Sequence, residues 1–324
     1  MYSLDEIGIL PSSTPTDIKH RGDINPFDEN GKLPVFVSPM TCILNADNFG
    51  RFVQSKAIPI YPVRMTEPRA LPVSNWIAYT LEEVHDIFLE AGYTEMDEHQ
   101  YILIDTAQGH MKELYDTVRE LKRRWGEYLT VMVGNIAHPE IYRECCNAGV
   151  DYVRIGIGGG NGCSTSCLTG IHASIPWLLE GIKGIQLCRR TMSMFCTKVV
   201  ADGGIDTIDK AVKCLALGAD YVMMGKLFAQ CKEAADGQLG WRPYYGQASE
   251  QGQIDRFGEV KRAPEGIETI VECRYTLDEF LNKFEAALRS SMSYTDSHNL
   301  NEFRQSKWML MSEHEFKSFY KKNV

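Results

Sequence analysis

No stretch of about 18 apolar residues occurs anywhere in the chain, which excludes a helical membrane span. The opening segment, MYSLDEIGILPSSTPTDIKH, lacks the basic-then-apolar order of a secretory leader, so none is expected. Positive charge is also scarce. The 34 Lys and Arg stand against 43 Asp and Glu, and a net charge of −9 argues against a nucleic-acid partner. Such a partner needs a basic face to displace counterions from phosphates. One phosphate on a small ligand is not excluded, because a few N–H donors and a single Lys suffice to hold it. The ten cysteines form no paired C-x-x-C half-sites. Cys163 and Cys167, with His172 beyond, come nearest to a zinc spacing and fall short of one. The thiols are therefore expected to be reduced, in a cytoplasmic protein. None of the eight His fits a metal spacing, and they read as surface or capping residues. No Pro/Ser-rich linker and no break in composition divides the chain, so residues 1–324 read as one large domain.

Against these absences stands a regular alternation. Short, nearly continuous apolar runs occupy 34–38, 58–63, 101–105, 129–134, 151–156, 198–203 and 220–225. That is the pattern of parallel strands buried on both faces. Amphipathic segments lie between them: 109–125, with Leu114, Val118 and Leu121 on one stripe, then 139–147, then 207–217 with Asp206 as its expected N-cap. Residues 148–153 (AGVDYV) echo 217–222 (LGADYV), each a helix end, a Gly stop and a buried strand. Repeated βα units of this length build a doubly wound sheet or a closed barrel. The α/β class is clear, and a single (β/α)8 TIM barrel is favoured because chemically interesting residues recur just after strands. Two stretches interrupt the rhythm, a loop at 158–176 and a flap at about 235–268, and both are expected to be functional. The polar tail at about 296–324 reads as a helical or irregular extension that docks on the barrel or on a neighbouring subunit.

The densest local signal is RIGIGGGNGCST, residues 154–165. Five glycines within seven residues let backbone groups converge on a ligand, and Cys163 among N–H donors is a candidate nucleophile with Thr165 as proton relay. Asp202, Gly203 and Gly204 end one run, and Gly225 and Lys226 end the next. Successive strand ends of this kind suit a phosphate site, with Asp202 accepting ribose hydroxyls. Asp105 to His110 (DTAQGH) is a weaker strand end, where Asp105 equally suits a helix cap. In the flap, Tyr245 to Glu250 and Arg262 to Gly266 set carboxylates near backbone donors. The same phosphate loops also suit a flavin mononucleotide or a nucleotide sensor without turnover.

Together the Cys163 loop, VVADGGI, ALGADYVMMG, YYG, PEGIE and LRSSMSY resemble the family of IMP dehydrogenases and GMP reductases, with PVFVSPM and DTAQGH in family order. The resemblance runs from about Pro34 to Tyr294. It implies that Cys163 attacks purine C2 to form a thioimidate, with Thr165 and Glu265 moving the proton. It implies that Asp202 holds the ribose diol and that Gly203, Gly204 and Gly225 hold phosphate; Lys226, not itself of the family pattern, is positioned to add a phosphate contact. Gly246, Gln247, Ala248, Ser249, Arg262 and Gly266 fall on the substrate side of the flap. Asp105, Thr106, Ala107, Gly109 and Gly156 fall to a nicotinamide cofactor, and the carbonyls of Gly158, Gly160 and Cys163 to potassium. Arg64 is a candidate for a cofactor 2′-phosphate.

Within the family, the total length, the 21 residues from Gly246 to Gly266 and the absence of room for regulatory modules resemble the reductase. The expected activity is NADPH-dependent reductive deamination of GMP to IMP and ammonia, by a homotetramer. The alternatives are NAD-dependent oxidation of IMP to XMP, or action on a deoxy- or modified purine nucleotide. PEGIE and Asp255-Arg256-Phe257 resemble the dehydrogenase, although Phe257 lacks the hydroxyl of the tyrosine usual there. Gln247 in place of Met, Ala248, Ser166 in place of Arg, Asn161 in place of Ser, and Lys226 all depart from the family pattern.

Overall fold

The structure is a computed structural model and describes residues 2–62, 75–90, 96–160, 163–235, 240–312 and 315. Among them twelve strands run in chain order: β1 Ile7–Ile9, β2 Val35–Val37, β3 Ile58–Pro62, β4 Trp76–Tyr79, β5 Gln100–Asp105, β6 Leu129–Ile136, β7 Tyr152–Ile155, β8 Lys198–Asp202, β9 Tyr221–Met224, β10 Trp241–Tyr244, β11 Thr269–Glu272 and β12 Trp308–Leu310. Strands β2 to β9 are parallel and close into one barrel, with Val35 to Val37 pairing back onto Val222 to Met224. Closure settles the choice between barrel and doubly wound sheet.

Alternate residues of each strand point into the barrel. Phe36, Ile60, Trp76, Leu103, Met132, Val200, Tyr221 and Met223 meet there in one apolar cluster. Phe36 and Trp76 pack edge to face, with ring centroids 5.6 Å apart. The barrel is therefore filled, not a pore. A larger apolar layer lies between the strands and the surrounding helices. On the helix Lys112–Trp125, the expected stripe of Leu114, Val118 and Leu121 is buried, joined by Tyr115 and Trp125. The internal echo has a physical basis. Asp151 Oδ2 accepts Val131 N–H at 2.7 Å, and Asp220 Oδ2 accepts Val199 N–H at 2.7 Å. Each Asp ties the start of its strand to the strand before it.

Several expectations are corrected. The run 76–79 (WIAY) went unread as a strand and is the eighth member of the barrel. The run 58–63 ends at Pro62, and Val63 and Arg64 lie outside the described residues. The helix expected from 109 begins at Lys112, because Gly109 N–H donates to Asn135 O at 2.8 Å and His110 Nε2 accepts Ala137 N–H at 3.0 Å. These bonds hold the first residues as loop. The helix Ile208–Ala216 has Thr207 at its N-cap, while Asp206 pairs with Lys210 Nζ at 2.9 Å. The stretch 158–176 contains a short helix, Thr165–Thr169. The flap contains β10 and the helix Glu250–Phe257, and β10 pairs antiparallel with β11. Within the tail, residues 308–310 form a strand where helical or irregular chain was expected: β12 pairs antiparallel with β1, from Ile7–Leu310 to Ile9–Trp308, and residues 313, 314 and 316–324 lie outside the described residues.

Candidate active site

Two loops meet above the C-terminal mouth of the barrel. The loop after β7 carries Cys163 and Thr165, and the returning limb of the flap carries Glu265 and Gly266. Cys163 and Gly266 form an antiparallel bridge, Ser164 N–H donates to Glu265 O at 2.9 Å, and Glu265 N–H donates to Ala248 O at 3.0 Å. This backbone stitching aligns the side chains. Cys163 Sγ donates to Thr165 Oγ1 at 3.2 Å, and Thr165 Oγ1 donates to Glu265 Oε2 at 2.8 Å. A thiol, a hydroxyl and a carboxylate in series form a path by which the sulfur loses its proton, the requirement for a nucleophilic thiolate. Cys163 and Glu265 are both partly exposed, so a ligand can reach them.

Below this relay lies an ionic layer. One step beyond the apolar plug, the inward alternation of β5, β7 and β8 brings Asp105, Arg154 and Asp202 to the mouth. Arg154 Nη1 donates to Asp105 Oδ1 at 2.7 Å, and its Nη2 to Asp202 Oδ2 at 2.9 Å. Asn135 Nδ2 also donates to Asp202 Oδ2, at 2.9 Å. Asp105 therefore does not cap the next helix. Gly156 is required between these groups, because at φ +117° a Cβ there would lie 2.3 Å from Asp202 O. Gly204, at φ +72°, turns its backbone under the Cys163 loop, where a Cβ would lie 2.7 Å from Gly159 O. Gly203 adjoins it, and Gly225 ends β9 against Met40 and Tyr244, with Lys226 opening a short helix.

The flap residues divide by role. Gln247 Nε2 donates to Pro39 O at 2.6 Å and leaves Oε1 buried without a partner among the described residues. Ser249, expected on the substrate side, is fully buried, and its Oγ accepts Gly252 N–H at 3.0 Å as the N-cap of Glu250–Phe257. Gly246 O accepts Ser249 N–H at 3.0 Å, and Ala248 is exposed. The backbone of Arg262 bonds to Gln253 and its side chain is exposed. On the other side of the mouth, Thr106 is bonded to Gly134 O, and Ala107 is exposed beside it.

A family model described as the IMP dehydrogenase / GMP reductase domain matches residues 88–317. The chain belongs to this family. An inosine-5′-monophosphate dehydrogenase of Chlorobaculum parvum is 33% identical over 238 residues, covering 68% of this chain and 46% of that protein. A GMP reductase of Staphylococcus saprophyticus is 30% identical over 331 residues, covering 96% of this chain and 95% of the relative. A GMP reductase of Staphylococcus carnosus is 28% identical, with 96% of each chain covered. The chain thus spans about half the length of the dehydrogenases it matches and nearly all of the reductases.

Family membership sharpens what this chain does differently. Arg256, at the position compared with the dehydrogenase arginine, has a side chain only 5% exposed and donates to Glu83 Oε2 at 2.9 Å. Two of the three carbonyls that the resemblance assigns to potassium are engaged within their own loop: Gly158 O accepts Ser166 Oγ–H at 3.0 Å, and Gly160 O accepts Cys163 N–H at 3.0 Å. Each of these two carbonyls keeps a second lone pair. The acceptor groups do fit a ribose-bearing cofactor, because Asp105 Oδ2 has no protein partner among the described residues and the Asp105 side chain is itself partly exposed. Cys163, Cys167 and His172 do not converge on a common metal position, and the described residues bring together only Asp17, Asp296 and His298, of which Asp17 and His298 are exposed. Sequence reading missed Arg154 and Asn135. The signal was a charged residue in an inward register of a buried strand, two places after Tyr152.

Proposed function

We propose that the protein is a purine-nucleotide oxidoreductase that converts GMP to IMP and ammonia with NADPH, through a thioimidate on Cys163. The Cys163–Thr165–Glu265 relay carries this reading. Cys163 gives up its proton through Thr165 to Glu265, and its sulfur bonds to purine C2. Glu265 then returns a proton through Thr165 to the 2-amino group as the C2–N bond breaks and ammonia leaves. When bound, the nicotinamide dinucleotide supplies the hydride that C2 requires. Cys163 then departs as thiolate when the C2–S bond breaks. Asp202 offers its second carboxylate oxygen to the nucleotide ribose, and Asp105 offers one to the cofactor.

Two observations favour the reductase direction. Nearly the whole chain aligns with GMP reductases. Phe257 has no hydroxyl with which to activate water for a dehydrogenase, and the neighbouring Arg256 is bound to Glu83. The higher identity to a dehydrogenase, 33% over 238 residues, supports NAD-dependent oxidation of IMP as the second reading. The unpartnered Gln247 Oε1 supports a deoxy- or modified purine as a variant of either. A paired assay decides: GMP with NADPH against IMP with NAD, both with potassium present. Faster consumption of NADPH with release of ammonia is expected. Turnover of IMP with NAD and none of GMP would replace the first reading by the second.

A further inference from the structure

Arg154 lies on β7, and its two partners lie on β8 and, beyond β6, on β5. Its side chain is 9% exposed. Nη1 reaches Asp105 Oδ1 at 2.7 Å, while Nη2 and Nε reach Asp202 Oδ2 at 2.9 and 3.2 Å. To reach Asp105 the side chain must pass β6, and the inward residue there is Gly134. A Cβ at Gly134 would lie 2.6 Å from Arg154 Cβ, so that lane is open only to glycine. Asn135 Nδ2 braces the far side, donating to Asp202 Oδ2 and to Gly156 O, each at 2.9 Å. Asp202 Oδ2 therefore takes three donors. Asp202 Oδ1 and Asp105 Oδ2 take none among the described residues. Burial alone would lower the Arg154 pKa, but Asp202 and Asp105 hold it above its ordinary value, so the guanidinium stays charged.

One cation thus serves two carboxylates, and each carboxylate keeps one oxygen for a ligand. Resting on the functional reading above, we propose that Arg154 is a positioning residue that holds Asp105 and Asp202 in register and couples binding of the nucleotide to binding of the dinucleotide. The physical reason is ordering. A sugar hydroxyl donating to Asp202 Oδ1 fixes that carboxylate, hence the guanidinium fork, hence Asp105. The second ligand then meets a carboxylate already in place, which makes the coupling positive and reciprocal.

The test is calorimetric titration of GMP, alone and with saturating NADP+ or NAD+, so that no turnover occurs. It is run on wild type, Arg154→Gln and Arg154→Lys. In wild type, GMP should bind several-fold tighter with the dinucleotide present. Arg154→Gln should weaken GMP binding by about 30-fold or more, as expected when one member of a buried charge cluster is removed, and should abolish most of the dinucleotide dependence. Arg154→Lys keeps the charge without the fork. It should recover much of the GMP affinity and still lack the coupling, an outcome that general loosening of the fold would not produce. If Arg154→Gln does not fold, the Lys variant alone decides on the coupling. Unchanged coupling in either folded variant overturns the proposal, as does equal GMP affinity with and without dinucleotide in wild type. Wild type that binds neither GMP nor IMP is a separate outcome: it overturns the functional reading, and this proposal with it.

Discussion

Cys163 is one of ten cysteines, and its neighbours set it apart from the other nine. Burial pushes the Cys145 thiol up to about 12, and burial likewise raises Cys214 and Cys231, so these sulfurs remain protonated packing groups. Cys163 instead has a proton path through Thr165 to Glu265. Cys163→Ala is expected to abolish turnover while the GMP dissociation constant stays within about threefold, because the C–S bond is made only during reaction. Residual turnover above a few per cent of wild type would sink the covalent role. Thr165→Val removes the middle of the path and should lower kcat by about 100-fold with little change in KM. A kcat within threefold of wild type would show that the hydroxyl is only packing.

His110 carries a pH prediction. Burial, then the neighbouring His138, lowers its pKa, and in the neutral form its Nε2 accepts Ala137 N–H. A base whose folded pKa is depressed contributes stability that is full above the unfolded value of about 6.5. That contribution is lost as pH falls below it, because the unfolded chain takes up the proton first. Melting temperature should therefore drop as pH falls below about 6.5, and His110→Gln, which still presents an acceptor, should flatten part of that drop. An identical pH profile for the variant would remove His110 from the account.

The flap shows how an element lacking periodicity can still be well defined. Its strand β10 pairs through four residues with β11, which follows the flap, and its helix Glu250–Phe257 carries its own N-cap at Ser249 and a left-handed glycine stop at Gly258. Arg256 then pins that helix to Glu83, whose carboxylate also caps the helix Leu81–Val84 by accepting Thr80 N–H. Arg256→Met should break this tie, leaving Glu83 partly solvated. A loss of roughly 1–3 kcal/mol is expected, read as a melting temperature lower by about 2–6 °C. KM for nucleotide should rise more than kcat falls, because the pin positions the flap and does not touch the relay. A kcat loss of 100-fold or more at unchanged KM would instead assign Arg256 to the chemistry and favour the dehydrogenase reading. Element boundaries followed the same logic. Runs of branched apolar residues were legible as strands, but β4, WIAY, has Ile77 as its one branched aliphatic residue and owes its strand state to pairing with β3 and β5 on either side.

At the scale of the whole molecule, closure of the barrel brings β9 beside β2 and so brings Gly225 to Met40. The surface keeps Leu187, Met192 and Phe195 exposed near the end of the helix Ile175–Thr191. The expectation of a homotetramer rests on the family likeness, the apolar residues of the tail and the acidic surface. Light scattering at micromolar concentration should report about four times 36.7 kDa, and a monomer mass would refute it.

The α/β class, the parallel strands, the glycine-rich Cys163 loop and the strand-end aspartates were determined by sequence alone. Each is a local matter of apolar runs, turn residues and a residue type that is costly to place at random. Tertiary structure decided three things that no local pattern encodes. It brought Glu265 to Thr165 across 100 residues, by stitching two loops through backbone hydrogen bonds. It turned Ser249 from a candidate ligand contact into a buried helix cap. It made Arg154, unremarked in the chain, the link between two carboxylates on strands 49 and 48 residues away. The physical reason is common to all three. Hydrogen bonds and ion pairs act over about 3 Å, so their partners are chosen by which strand ends the barrel sets side by side.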